Sequence, residues 1–83
     1  MKKPDELEVW DEAKLRLMFS NGPLLVNTES NHYKFWHYDK AEQKVYWGRI
    51  GNKIQTQDIS NRGYSYVNKK VKEKLNKGYR ELK

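Results

Sequence analysis

The run Lys44-Val45-Tyr46-Trp47-Gly48-Arg49-Ile50, followed by Gly51-Asn52 and by Lys53-Ile54-Gln55-Thr56-Gln57-Asp58-Ile59, decides the fold. It reads as two strands, over 44–50 and 53–59, joined by a Gly-Asn turn. Side chains alternate across a strand, so Val45, Trp47 and Arg49 share one face and Tyr46, Gly48 and Ile50 the other. Tyr46 and Ile50 are expected as a core pair beneath a helix, with Trp47 and Arg49 on an exposed face pointing away from it. A glycine inside a strand costs roughly 0.5–1 kcal/mol. Close approach of the packing helix is the expected reason for Gly48.

Working upstream, His32 to Tyr38 is aromatic-dense and suits the partner strand. Polar residues from Asp39 to Gln43 close the hairpin. Asn27 to Asn31 reads as a loop and Leu24-Leu25-Val26 as a further strand. Ser20-Asn21-Gly22-Pro23 is a turn signal. Lys14 to Phe19 alternates with period two and is expected as a strand. Residues 1–13 form an acidic extension in which Pro4, Asp5 and Glu6 either start a short helix or belong to a loose tail. Met1 reads as a native start.

Downstream the period changes. Ser60 or Asn61 is the expected helix N-cap. Tyr64, Val67, Val71 and Leu75 then recur at spacings of three, four and four, which is one face of a helix. Lys69, Lys70, Lys72, Lys74 and Lys77 fall mostly on its other faces, and Gly78 sits where the helix should end. Those lysines suit either a phosphate backbone or a solvated surface. The expectation is an α+β domain over residues 14–83, an antiparallel sheet with one C-terminal helix packed on one face.

The bulk properties restrict what such a domain does. The chain has 83 residues, 36% hydrophobic, 34% charged and 13% aromatic. That is one compact domain with a modest core. It has no cysteine, so disulfides and thiolate metal sites are excluded. With only His32 and His37, no zinc site is expected, and both histidines read as structural. The N-terminus begins like a signal peptide but lacks an apolar core, and no apolar run is long enough to span a bilayer. An intracellular setting is expected, cytoplasmic or nucleoid-associated, with no membrane partner.

Charge is uneven along the chain. The formal net charge is +6, but residues 1–42 hold six Lys/Arg against eight Asp/Glu, a net of −2. Residues 43–83 hold eleven against three, a net of +8. A basic face of this kind favours polyanions, and nucleic acid is the commonest one in a cell; a solvated lysine surface is the plainer alternative. On the exposed face an indole stacks on a base for roughly 1–3 kcal/mol. A neighbouring guanidinium holds a phosphate through two parallel hydrogen bonds. The plainer reading of Trp47 and Arg49 is a cross-strand packing patch with a cation–π contact.

The stretch Tyr46-Trp47-Gly48-Arg49-Ile50-Gly51-Asn52-Lys53 with Gln55-Thr56-Gln57 resembles the signature of the WGR domain family. The ending Glu73-Lys74-Leu75-Asn76-Lys77-Gly78-Tyr79 resembles the close of bacterial members. Asn31-His32-Tyr33 resembles the family's entry to an early strand. The match covers about residues 31–80. It implies a twisted antiparallel sheet with one helix. In poly(ADP-ribose) polymerases this domain binds DNA near strand breaks, its Trp packing on a terminal nucleotide and its Arg bridging DNA and neighbouring domains. Those roles fall by position on Trp47 and Arg49, and a phosphate-side Asn on Asn31. Lys44 and Lys53 would be backbone contacts by proximity, and Gly48 and Gly51 the structural glycines of the motif. Two positions depart from the pattern: Ile54 replaces a glycine after the turn, and Gly63 stands early in the helix.

No catalytic arrangement is found. The acidic pairs Asp5/Glu6 and Asp11/Glu12 have no partner acid or base in a foreseeable pocket. No Ser-His-Asp order, phosphate-binding loop or metal-ligand spacing occurs. The expectation is a monomeric, non-enzymatic module for DNA ends or breaks, needing no cofactor and taking no small-molecule substrate. The alternative is a protein-interaction or interdomain module using the same Trp-Arg face.

Overall fold

The computed structural model describes residues 5–83. Its elements are α1 (Glu12–Met18), β1 (Leu24–Asn27), β2 (Lys34–Asp39), β3 (Lys44–Arg49), β4 (Gln55–Asp58), α2 (Tyr64–Asn76) and β5 (Arg80–Leu82), with a single 3-10 turn at Glu29–Asn31. The strands form one five-stranded antiparallel sheet in the order β4-β3-β2-β1-β5. The α+β class, the antiparallel sheet and the helix near the C-terminus are as the sequence reading expects. Among the described residues no helix is long and apolar enough to cross a membrane. The helix start expected at Pro4 lies outside the described residues.

Lys14 to Met18 is helix and not strand, with Phe19 as its C-cap. The Asp11 carboxylate caps it by accepting from the Lys14 amide at 3.2 Å, a contact worth about 1 kcal/mol. Leu15 and Phe19 are buried, four residues apart, with Met18 beside them, while Leu17 is left 69% exposed. The alternation Leu15-Leu17-Phe19 thus concealed an i, i+3, i+4 face. Arg16 ties this helix to the sheet by donating to the carbonyls of Leu82 and Gly22.

The sheet therefore lies between two helices. On one face Leu7, Leu15, Phe19, Leu24, Val26 and Phe35 pack under α1, with Tyr46, Ile50 and Ile54 beside them. On the other, Leu25, Trp36, Tyr38, Val45, Ile59, Val67 and Tyr79 pack under α2, with Trp47, Tyr66 and Val71 beside them. The expected face assignment is reversed. Tyr46 and Ile50 lie on the α1 side, and Trp47 lies on the α2 side.

Local chemistry explains the connections. Asp39 closes the β2–β3 hairpin by accepting from the amides of Ala41 and Glu42. The β3–β4 turn has the Asn52 amide bonded to the Arg49 carbonyl, and Gly51 has a φ of +84°, which favours glycine. Residues 5–7, part of the acidic extension, run along this turn. Leu7 exchanges backbone hydrogen bonds with Asn52 and Gly51, Asp5 accepts from Ile54, and the Leu7 side chain is buried.

α2 begins at Tyr64, after Gly63, and not at Ser60 or Asn61. The Ser60 amide is instead held by the Asp58 carboxylate. Val67 is the helix residue buried on the sheet, whereas Tyr64 and Leu75 overhang its ends at 54% and 44% exposure. Gly78, at a φ of +97°, ends the helix as expected, with the Tyr79 amide reaching back to the Lys74 carbonyl. The chain then adds β5 along β1, an edge strand of three residues that no periodicity announces.

Candidate nucleic-acid interface

Register fixes which side chains meet on the α2 face. Leu25, Trp36, Trp47 and Gln55 are successive cross-strand partners and form one row. Asn27, Lys34 and Arg49 form the next row toward the β3–β4 turn, and Tyr38, Val45 and Gln57 the row on the other side. Directly opposite residues share a face and lie close enough to interact. α2 covers the β1–β2 part of this face and stops short of β4. Trp47 sits at the boundary, half-buried, with the helix on one side and exposed Gln55 and Gln57 on the other.

Two shallow grooves meet at Trp47 and Lys74. One, of about 170 Å³, runs between α2 and β4 and is lined by Trp36, Val45, Trp47, Gln57, Tyr66, Lys70 and Lys74. The other, of about 190 Å³, opens toward the β3–β4 turn, where Lys34, Arg49, Lys53 and Gln55 join Trp47, Lys74 and Tyr79. The larger hollow of about 560 Å³ lies elsewhere, beside α1, with Asp5, Glu6, Glu8 and Asp11 on its rim. That charge does not suit a polyanion.

Three cations of the grooves, and Arg62 beside them, approach aromatic rings. Lys34 and Lys74 both approach the Tyr79 ring, at 5.7 and 5.1 Å from its centroid. Arg62 and Lys70 both approach the Tyr66 ring, at 5.2 and 5.8 Å. A cation over an aromatic face gains about 0.5–1 kcal/mol at an exposed site. It keeps its full charge. Among the described residues, only Lys70 of these four has a carboxylate within ion-pair distance, Glu73 at 3.5 Å. Arg80, outside the grooves, is instead paired with Glu12 at 2.6 Å.

The crowding shows at Lys74. Burial, and then the positive charges of Lys77, Lys34 and Lys70, hold its ammonium below the ordinary lysine range, against a smaller pull from Glu73. Lowered lysine pKa values arise in this way when a charged group loses water and meets like charge. An anion entering the groove would offset the like-charge crowding. Burial also pushes the Tyr79 phenol up.

The expected site residues are placed as follows. Trp47 and Arg49 share one face, as alternation requires, and Lys53 lines the same groove. That face is not the open one away from the helix. Lys70 and Lys74 of α2 line a groove together with Trp47, so the indole and these helix lysines border one space. Lys44 pairs across the sheet with Asp58 and Asp39 on the α1 face, away from Trp47. The Asp58 carboxyl is held below its ordinary range by hydrogen bonds from the Ser60 backbone and side chain, with Lys44 adding to the effect. Asn31 is exposed at the end of the 3-10 turn, with a φ of +61°, and lines neither groove.

Gly48 faces the α1 side. A Cβ there would stand 3.1 Å from Phe35 Cε1 and 3.5 Å from Ile54 Cα. The close neighbour is therefore a phenylalanine of the adjacent strand and not a helix. His37 is fully buried, with Nδ1 2.9 Å from the Pro23 carbonyl oxygen, and His32 is exposed.

Sequence reasoning missed Lys34, Gln55, Gln57, Tyr66 and Tyr79. One signal for part of this set was present. Arg62, Tyr66, Lys70 and Lys74 recur at intervals of four, a single stripe along α2 and the turn before it. No protein-family model matches the chain, and neither a curated protein nor a solved structure does.

Proposed function

We propose that this chain is a non-enzymatic, WGR-like module that binds DNA inside the cell, favouring ends or breaks, with Trp47 at the centre of its contact. The observation that carries the reading is the pair of grooves in which a half-buried indole lies among Lys34, Arg49, Lys53, Lys70 and Lys74. Phosphate contacts from these cations position the module, and the indole supplies stacking. The resemblance of Tyr46-Trp47-Gly48-Arg49-Ile50-Gly51-Asn52-Lys53 to the WGR signature supports the same choice of residues. Arg49 is the exposed end of β3 and the guanidinium best placed to fork onto a phosphate at the turn end of the groove.

Fluorescence anisotropy tests it. A labelled open-ended duplex is compared with a closed dumbbell of equal length, at two salt concentrations, for the wild type and for Trp47→Ala. Tighter, salt-sensitive binding of the open duplex, weakened in the variant, is expected. Equal binding of both, untouched by the variant, leaves only general basic attraction. No binding at low salt turns the grooves toward a protein partner, whose affinity would respond weakly to salt.

A further inference from the structure

We infer that the nucleotide taken at Trp47 is an unpaired one, its base lying in the groove between α2 and β4 beside the amide of Gln57, with that of Gln55 in the adjoining groove. This rests on the nucleic-acid reading above and specifies its ligand as single-stranded or frayed nucleic acid.

The first argument is the position of the indole. Trp47 does not stand on a flat or convex surface that could be laid along a duplex. It is recessed, with Tyr66 and Lys70 of α2 rising on one side and Gln57 of β4 on the other, in a groove of about 170 Å³. A space of that shape admits a flat ring entering edge-first. Bases inside a duplex are stacked on both faces and cannot enter it. An unpaired base can, and every base has a face on which to stack.

The second argument is hydrogen bonding. Gln55 is the cross-strand partner of Trp47, and Gln57 of Val45, so both amides stand on the groove face at the sheet edge, and both are exposed. Each amide offers a carbonyl acceptor and two N–H donors. That mixture complements the edge of a base that pairing would otherwise occupy. Phosphates accept but do not donate, so the glutamine carbonyls have no use against a backbone alone.

The third argument is the run of cations. Arg62 and Lys70 stand at the Tyr66 end, Lys74 at the junction, and Lys34, Arg49 and Lys53 at the turn end. Lys70 and Lys74 border the groove beneath α2, Lys74, Lys34, Arg49 and Lys53 border the adjoining one, and Arg62 stands beyond them at the Tyr66 ring. A flexible single strand can follow such a path with successive phosphates while its base turns inward onto Trp47.

The test extends the anisotropy experiment to a labelled single strand, a blunt duplex, the same duplex with a short unpaired overhang, and the dumbbell. The proteins are wild type, Trp47→Ala and the double variant Gln55→Ala/Gln57→Ala. Both glutamines are exposed, and circular dichroism checks each variant's fold. Single-strand and overhang binding is expected to be roughly tenfold tighter than blunt-duplex binding. Trp47→Ala should remove that preference, and the double glutamine variant should reduce it. A blunt duplex bound as tightly as the overhang, with the same loss in Trp47→Ala, overturns the inference and leaves the nucleic-acid reading standing. Failure of every oligonucleotide to bind at low salt overturns both.

Discussion

Under α1, Phe19 packs against Phe35 at 4.9 Å between ring centroids, His37 at 5.2 Å and Tyr46 at 5.5 Å, and the nearby aliphatic residues are buried. Under α2, the inner half of the face is closed in the same way by Val67 over Leu25 and Trp36, but the outer half is left as a groove bordered by lysines. One sheet thus carries a face built around a buried aromatic cluster and a face on which the helix leaves a lysine-bordered groove over the outer strands. Packing density is what stabilises a fold of this size. A polar groove adds little stability and crowds like charges. The difference teaches where to look for function: on the face where helix coverage stops before the sheet does.

The largest expected effect falls on the packed face. Phe19→Ala should cost about 3–5 kcal/mol of unfolding free energy, the usual range for removing a buried ring. Small domains have only about 5–15 kcal/mol in total, so urea denaturation will read it clearly. A loss below about 1 kcal/mol would mean that the α1 face is not the stabilising one. Trp47→Ala should invert the pattern. Nucleic-acid affinity should fall by roughly ten- to a hundredfold, from stacking worth about 1–3 kcal/mol, while stability falls less than in Phe19→Ala. Equal stability losses in both variants would erase the proposed contrast.

Gly48→Ala separates the two faces at a single β3 position. Its new Cβ would press on Phe35 Cε1 at 3.1 Å, and Phe35 is itself fully buried. Overpacking of this kind costs about 1–3 kcal/mol. The methyl group points to the α1 side, but Gly48 and Phe35 also border the turn-end groove, so affinity of the folded protein should fall less than in Trp47→Ala. A loss of affinity as large as in Trp47→Ala would show that Gly48 serves the groove more than the packing.

How much of this was legible follows from the same contrast. The β2–β3 and β3–β4 hairpins were readable because Asp39, Gly51 and Asn52 are turn residues with a mechanism. The partnership of Trp47 with Arg49 was readable because alternation along a strand does not depend on context. Which face they occupy was not. With a helix on each side, both faces of β3 are apolar, and Tyr46/Ile50 looks as much like core as Val45/Trp47. The error at α1 fed this one. Leu15, Leu17 and Phe19 alternate, yet Leu15, Met18 and Phe19 also form a helical face, and the Asp11 cap was the signal that decides between them. Lys34 could not be placed without register, since only pairing with Arg49 brings it to the groove. β5 is too short for any period to show.

Lys74→Met tests the smallest effect and the one with opposite signs in its two readouts. Burial, and then Lys77, Lys34 and Lys70, hold the folded-state pKa of Lys74 below its ordinary value of 10.5. Between the folded and unfolded values the unfolded chain binds more protons, so this group makes stability rise as pH climbs toward 10.5. At neutral pH its charge works against folding. Methionine keeps an unbranched stem over Tyr79 and removes the charge. The variant should unfold at a slightly higher urea concentration and lose the alkaline rise. Its affinity for nucleic acid should nevertheless fall severalfold, with the salt slope shallower by about one phosphate contact. A variant that is less stable and binds normally would assign Lys74 to the packing of Tyr79. A variant that is more stable and binds weakly identifies the crowded ammonium as a charge kept in place for an external anion.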